Sequence, residues 1–258
     1  MKKLGISIDG VIRNYLDAFD KQYRKTFIIN ESIVEMNDEF QLKEPTEQDY
    51  EEKTKKLEEK IKELISLPVD SPDLLNHYQF KEIKEFENDN AFKLEEEEKN
   101  IIFQNFDSFE NKILTPQEAL NKFMYEQHPF RIFGDSEEFQ GAMSHFNRIQ
   151  AYGLQNNLFE TVLITGLKAT AISANYFFLH KTGSRARNVQ VVKDDADKWN
   201  YCDVLVDASP LAFQNKPEDK VSIKIDRLYN QYDEADYTLK GLKDLNNDML
   251  LKKLFENK

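Results

Sequence analysis

The chain predicts an α/β protein, a five-stranded parallel sheet flanked by helices and interrupted by an all-helical insertion. Three observations lead there. Short β-rich runs such as Thr161-Val162-Leu163-Ile164-Thr165 and Asp203-Val204-Leu205-Val206-Asp207 alternate with segments of helical periodicity, the pattern of a parallel sheet covered on both faces. That alternation stops near residue 27 and resumes near 130, with only helical patterns between. Finally, the apolar runs end in polar residues and turn signals, as strands do where they feed loops at the carboxyl edge of such a sheet.

The elements follow in order. Residues 3–8 form the first strand, and Asp9-Gly10 turns the chain into a helix on which Val11, Tyr15, Ala18, Phe19, Tyr23 and Phe27 share a spacing. In the insertion, residues 47–67 are rich in good helix formers, with Leu57, Ile61, Leu64 and Ile65 on one face, until Pro68 and Pro72 break the pattern. Further helical patterns cover 73–87 and 94–106, and the run Glu95-Glu96-Glu97-Glu98 suits the solvated first turn of a helix. Thr115-Pro116-Gln117-Glu118 opens another, with Thr as N-cap, Pro at the first helical position and Glu at the third.

Beyond the insertion, Ser136 is positioned to cap a helix carrying Phe139, Met143, Phe146 and Ile149. Strand 161–165 closes at Gly166, a helix takes 168–181, and 189–192 makes a short strand. Strand 203–207 closes at Ala208-Ser209-Pro210, 221–225 is the fifth strand, and 239–256 reads as one amphipathic helix burying Leu242, Leu245, Met249 and Leu250. The core therefore comprises 1–27 and 130–258, and the insertion 28–129.

Composition narrows the function. The 258 residues, 40% of them hydrophobic and 12% aromatic, suffice for a globular core. One cysteine, Cys202, leaves no internal disulfide and suits a reducing compartment. No apolar stretch approaches the roughly 20 residues that span a bilayer, and Lys2-Lys3 precede an apolar run too short, and interrupted by Asp9, for a signal peptide. The expected site of synthesis and folding is the cytoplasm. Between Glu31 and Lys112, 24 Asp and Glu face 11 Lys and Arg, so this segment carries the whole net charge of −12 and the rest is about neutral. With no basic stripe, binding to nucleic acid through its phosphates is not expected. The acidic block reads as a solvated helical face or a surface for a basic partner.

The strand ends carry the candidate site: Ser7 and Asp9 on the first, Thr165 on the second, Asp207 and Ser209 on the fourth, and Lys198 just before the fourth. In this order they resemble the motifs of the haloacid dehalogenase superfamily, in particular its 5′(3′)-deoxyribonucleotidase-like branch. That family's first motif is an apolar strand followed by Asp-x-Asp-Gly-Val, and here Ser7-Ile8-Asp9-Gly10-Val11 stands there. "VLITG" with Thr165 resembles the second motif, Lys198 in "DADKW" the third, and "DVLVDASP", with Asp207, Ala208 and Pro210, the fourth. The later "IKIDRLYN" resembles the strand and Tyr-Asn turn that follow in that branch. The resemblance covers roughly 1–27 and 130–230 and implies a Rossmann-like core with a helical cap inserted after the first motif, where 28–129 lies.

It also implies which functions are lost. In the family the first Asp of the first motif attacks phosphorus and binds magnesium, and the second protonates the leaving group. Ser7 occupies the attacking position, neutral and in need of an adjacent base, and is a poorer magnesium ligand than a carboxylate. Ala208 removes a second carboxylate from the same side. Asp9, Thr165, Lys198 and Asp207 remain, and Ser7, Asp9, Thr165 and Lys198 line a vestigial pocket in which no cofactor is expected; were Mg2+ kept, Asp9 and Asp207 would hold it weakly. His77, His128, His145 and His180 are scattered without metal-ligand spacing, and a Ser-His-Asp triad on Ser7 would need His128 or His145 at the strand tip.

The expectation is a non-catalytic protein that keeps this fold as a structural or interaction subunit, with protein partners in a homo-oligomer or multi-protein assembly. The Lys-, Glu-, Asn-, Ile- and Phe-rich composition is that of an AT-rich coding source, such as a low-GC bacterium or its phage, and a tailed-phage virion is one such assembly. The competing expectation is a Mg2+-dependent nucleotide phosphomonoesterase with a rearranged site, or a nucleotide-binding pseudoenzyme.

Overall fold

The computed structural model describes residues 1–23, 26, 55, 120–214 and 216–256. The helical patterns expected at 47–67, 73–87 and 94–106, and the helix start at Thr115, lie outside the described residues, as does His77. One parallel sheet organises the rest. Its strands are β1 (Lys2–Ser7), β2 (Phe159–Thr165), β3 (Val189–Val191), β4 (Val204–Asp207), β5 (Val221–Ile225) and β6 (Tyr237–Leu239), in the order β3-β2-β1-β4-β5-β6. The sheet thus has six strands where five are expected. Three-residue β6 is too short to show a periodicity. It is set by Asp236, whose carboxylate accepts from the Ser222 amide at 2.8 Å and its hydroxyl at 3.0 Å and registers Tyr237 against Ile223.

Side chains of opposite parity leave opposite faces. Leu163, Val204, Val206 and Ile223 join one buried cluster with Phe146, Ile149, Leu251 and Phe255. Val162, Ile164 and Leu205 join another with Trp199, Cys202 and Ala212. In β2 only Glu160 is exposed, the near-continuous burial of a central parallel strand. At Gly5, in central β1, a Cβ would stand 2.7 Å from Cys202 Sγ and 2.9 Å from Ile164 Cδ1, so the tight packing of β1 depends on the missing methyl.

Helices α1 (15–23), α2 (Ala142–Gln155), α3 (Ile172–Lys181), α4 (Pro210–Gln214), α5 (Leu242–Leu245) and α6 (Asp248–Glu256) flank the strands. A third cluster, of Leu16, Phe19, Phe123, Ile132, Phe133, Leu167 and Ala174, lies among α1, α3 and two wide π turns at Phe123–Gln127 and Phe130–Gly134.

Three local expectations are corrected. Val11 belongs to a tight turn, with the Ile12 and Arg13 amides both donating to the Ile8 carbonyl. Ser136 does not cap α2: its hydroxyl donates to the Ile132 carbonyl, and Gly141, at φ 67°, precedes the helix instead. The chain between bridges back to the loop after β1, the Asn14 amide donating to Glu137 O and the Phe139 amide to Ile12 O. The C-terminal helix is two helices, because the Asn247 side chain accepts from the Met249 and Leu250 amides and starts α6 afresh. That restart rotates the buried face to Leu251, Leu254 and Phe255 and leaves Met249 exposed.

Candidate functional site

Strand order reverses on either side of β1, and a crevice at the carboxyl ends of the strands is where open parallel sheets carry their sites. Because β1 lies between β2 and β4, with Ser7 in register with Ile164 and Ile6 with Val206, the ends bearing Thr165, Ser7 and Asp207 are neighbours. All three side chains are buried. The expected residues come together here, and they sort into two charged knots.

The first surrounds Asp9. Its Oδ2 accepts from Thr165 Oγ1 at 2.8 Å, and its Oδ1 accepts from Arg13 Nε at 2.9 Å and contacts Arg13 NH2 at 2.7 Å. Arg13 is completely buried. Its guanidinium lies 5.2 Å from the Phe133 ring centre and 5.1 Å from that of Phe178, and NH1 donates to the Phe133 carbonyl at 3.1 Å. The π turn matters here, since it buries Phe133 and brings its carbonyl to Arg13. Gly10, at φ 76°, makes the turn that lets its amide reach the Arg13 carbonyl at 3.0 Å.

The second knot surrounds Asp207. Ser7 Oγ donates to Oδ2 at 2.5 Å, and Lys198 Nζ donates to the same oxygen at 2.7 Å. The Ala208 and Ser209 amides donate to Oδ1 at 2.7 and 2.9 Å. Lys198 also meets Asp195 Oδ1 at 2.5 Å, and Ser209 Oγ donates to Asp195 Oδ2 at 2.6 Å. Burial works against the Lys198 charge, but Asp207 and Asp195 prevail and hold its pKa above the ordinary lysine value. Burial likewise opposes the Asp195 charge, and Lys198 with the Ser209 hydroxyl still draws that carboxyl below its usual range.

Aromatic side chains and a second arginine close the loop side. A Cβ on Gly10 would lie 2.9 Å from the Tyr229 hydroxyl and 3.0 Å from Ala208 Cβ, so the phenol fills the space beside Ala208. Arg227 lies 3.9 Å from the Phe139 ring centre and donates through Nε to the Gly10 carbonyl at 3.0 Å. Asn230 Nδ2 donates to the carbonyls of Ala208 and Ile225. Burial pushes Tyr125 up to about 12 and raises Tyr15 and Tyr229 well above their ordinary value, so these phenols stay neutral at ordinary pH.

Magnesium does not fit this donor set. It takes oxygen ligands in near-octahedral geometry, usually with one or two carboxylates. Here each carboxylate oxygen of Asp9 and Asp207 already accepts from a protein donor, and each acid is neutralised by a buried cation. Among the described residues no group of three or more His, Cys, Asp or Glu is placed to hold a metal ion. Nor, among the described residues, does a histidine reach Ser7 by a hydrogen bond: His128 Nδ1 meets Gln22 Nε2 at 3.5 Å, and His145 Nδ1 meets Asn246 Nδ2 at 3.3 Å.

Arg13 and Asp195 are site residues that the sequence did not single out, whereas Tyr229 stands in the Tyr-Asn turn of "IKIDRLYN". Arg13 has a signal, a lone cation closing the apolar run "LGISIDGVIR" four residues after Asp9. Asp195 stands three residues before Lys198 in a run of aspartates that reads as turn chemistry.

No family model and no curated relative matches the chain. Among solved structures it is similar to YfnB from Bacillus subtilis, described as a HAD-hydrolase bound to magnesium, at 12% identity, TM-score 0.45, and coverage of 96% of this chain and 98% of that one. It is also similar to a dehalogenase with an intermediate complex, at 8% identity, TM-score 0.43 and coverage of 95% of each chain. At these scores the α/β class stands on the chain's own strand order.

Proposed function

We propose that this chain is a haloacid-dehalogenase-like scaffold that no longer performs phosphoryl transfer and serves as a structural or interaction subunit of a larger assembly. The observation that carries this reading is the Ser7–Asp207 hydrogen bond of 2.5 Å. The residue in the attacking position spends its proton on a carboxylate that also accepts from Lys198 and two backbone amides. Asp9, in the proton donor's position, is tied to Arg13 and Thr165 and braces its loop. On this reading 28–129 occupies the cap position of a core made of 1–27 and 130–258, and its acidic surplus is the surface for protein partners. A tailed-phage virion is one home that suits the composition.

The test is a phosphatase assay paired with a mass measurement. Full-length protein at high concentration, with Mg2+ and deoxynucleoside monophosphates, is expected to release no phosphate above background. Light scattering is expected to give a defined oligomer or a complex with a partner from its source. Metal-dependent turnover that disappears in Ser7→Ala, from a monomeric protein, overturns the proposal.

A further inference from the structure

The misfit between magnesium and this site has a definite physical cause, and it lies in Lys198. Its side chain is 6% exposed, and its ammonium bridges two carboxylates carried by different elements, Asp195 in the 3-10 turn Asp195–Asn200 and Asp207 at the end of β4. The turn is held rigidly. Asp194 and Asp197 cap each other's backbone at its start, Trp199 Nε1 donates to the Ala212 carbonyl at 2.8 Å, and Cys202 Sγ approaches the Lys198 carbonyl at 3.4 Å. The lysine is therefore delivered to the strand ends by a fixed platform, and Ser7 and Ser209 complete the oxygens' hydrogen bonding on either side.

We propose that the Lys198 ammonium is this protein's built-in counter-ion, taking between Asp195 and Asp207 the place of a divalent cation, so that the fold is complete without metal. The inference rests on the reading of a site without phosphoryl transfer and names what keeps the vacated strand ends together. A buried carboxylate, Asp207, and a partly buried one, Asp195, carried on neighbouring elements repel unless a positive charge lies between them. A divalent cation could enter only by displacing the ammonium, and with Ser7 in place of a carboxylate it would gain no new anionic ligand in return.

The experiment uses the full chain and Mg2+ alone. Calorimetric titration of the wild type is expected to show no saturable binding, and its Tm is expected to be the same in millimolar Mg2+ and in EDTA. Lys198→Met strands both carboxylates. Its Tm should fall in EDTA and recover in part with Mg2+, which should now bind saturably. Saturable Mg2+ binding by the wild type overturns the proposal, as does a Lys198→Met protein as indifferent to Mg2+ as the wild type. Should Lys198→Met fail to fold, the wild-type titration decides alone. Phosphate release from the same samples separates the two readings: turnover strikes at the proposed function, whereas Mg2+ binding without turnover strikes only at the role of Lys198.

Discussion

The two knots at the strand ends neutralise their acids in opposite ways. Asp9 and Arg13 are four residues apart, one acid to one base, and the guanidinium is set between the Phe133 and Phe178 rings. Asp207, Lys198 and Asp195 come from two elements, two acids to one base, and their remaining hydrogen bonds go to hydroxyls and backbone amides. The first knot fixes the conformation of one loop and depends on aromatic packing. The second ties a 3-10 turn to β4 and, through Ser7, to β1. A local pair is thus held by its hydrophobic surroundings, a distributed one by saturation of its polar atoms.

Three perturbations sharpen that contrast, beginning with the largest. Arg13→Met keeps the bulk between the rings but strands Asp9, and should destabilise the fold by about 3 kcal/mol, the low end for breaking a buried pair because Asp9 remains partly exposed. Denaturant unfolding measures this. Adding Asp9→Asn should recover part of the loss, and a double variant no better than the single would show that the guanidinium acts through packing instead.

Ser7→Ala removes one of four donors to Asp207, so the expected loss is about 1.5 kcal/mol, the low end for a hydrogen bond to a charged group, with phosphatase activity unchanged at background. A loss as large as that of Arg13→Met would mean that the distributed knot shares its load poorly.

The smallest effect near neutrality is that of pH. Lys198 is held above its ordinary value, so its contribution is full below about 10.4 and is lost as pH rises through the raised value. Asp195 is held below its ordinary value, so its contribution is present above about 3.9 and is lost as pH falls through the lowered one. Tm measured against pH should therefore show no contribution from Lys198 or Asp195 to any slope between those limits. Lys198→Met should lack the Lys198 part of the alkaline fall.

The sheet could be read from the sequence wherever burial on both faces wrote a continuous apolar run, as in β2 and β4. It could not be read at β6, where three residues are recruited by pairing with β5, nor at Ser136, whose hydroxyl finds a nearer carbonyl than the helix it was expected to cap. The gathering of Ser7, Thr165 and Asp207 followed from strand order, because a parallel sheet brings its carboxyl ends to one edge. Who pairs with whom did not. Arg13 reaches Asp9 through a turn set by Gly10, and Asp195 is chosen over its neighbouring aspartates by the geometry of one short turn. Such contacts depend on a few dihedral angles, to which composition and spacing are blind.

The position of β1 at the centre of the sheet has a consequence for the chain's biogenesis. Lys2 pairs with Phe159 and Leu4 with Val204, so β1 waits for partners encoded far downstream. At roughly 5–20 residues per second on the ribosome, the nascent "KLGISI" segment stays unpaired for on the order of ten to thirty seconds. During that interval an apolar β-former is open to wrong partners or to a chaperone. Expression yield should therefore respond to translation speed through residues 10–160 more than to synonymous changes after β4.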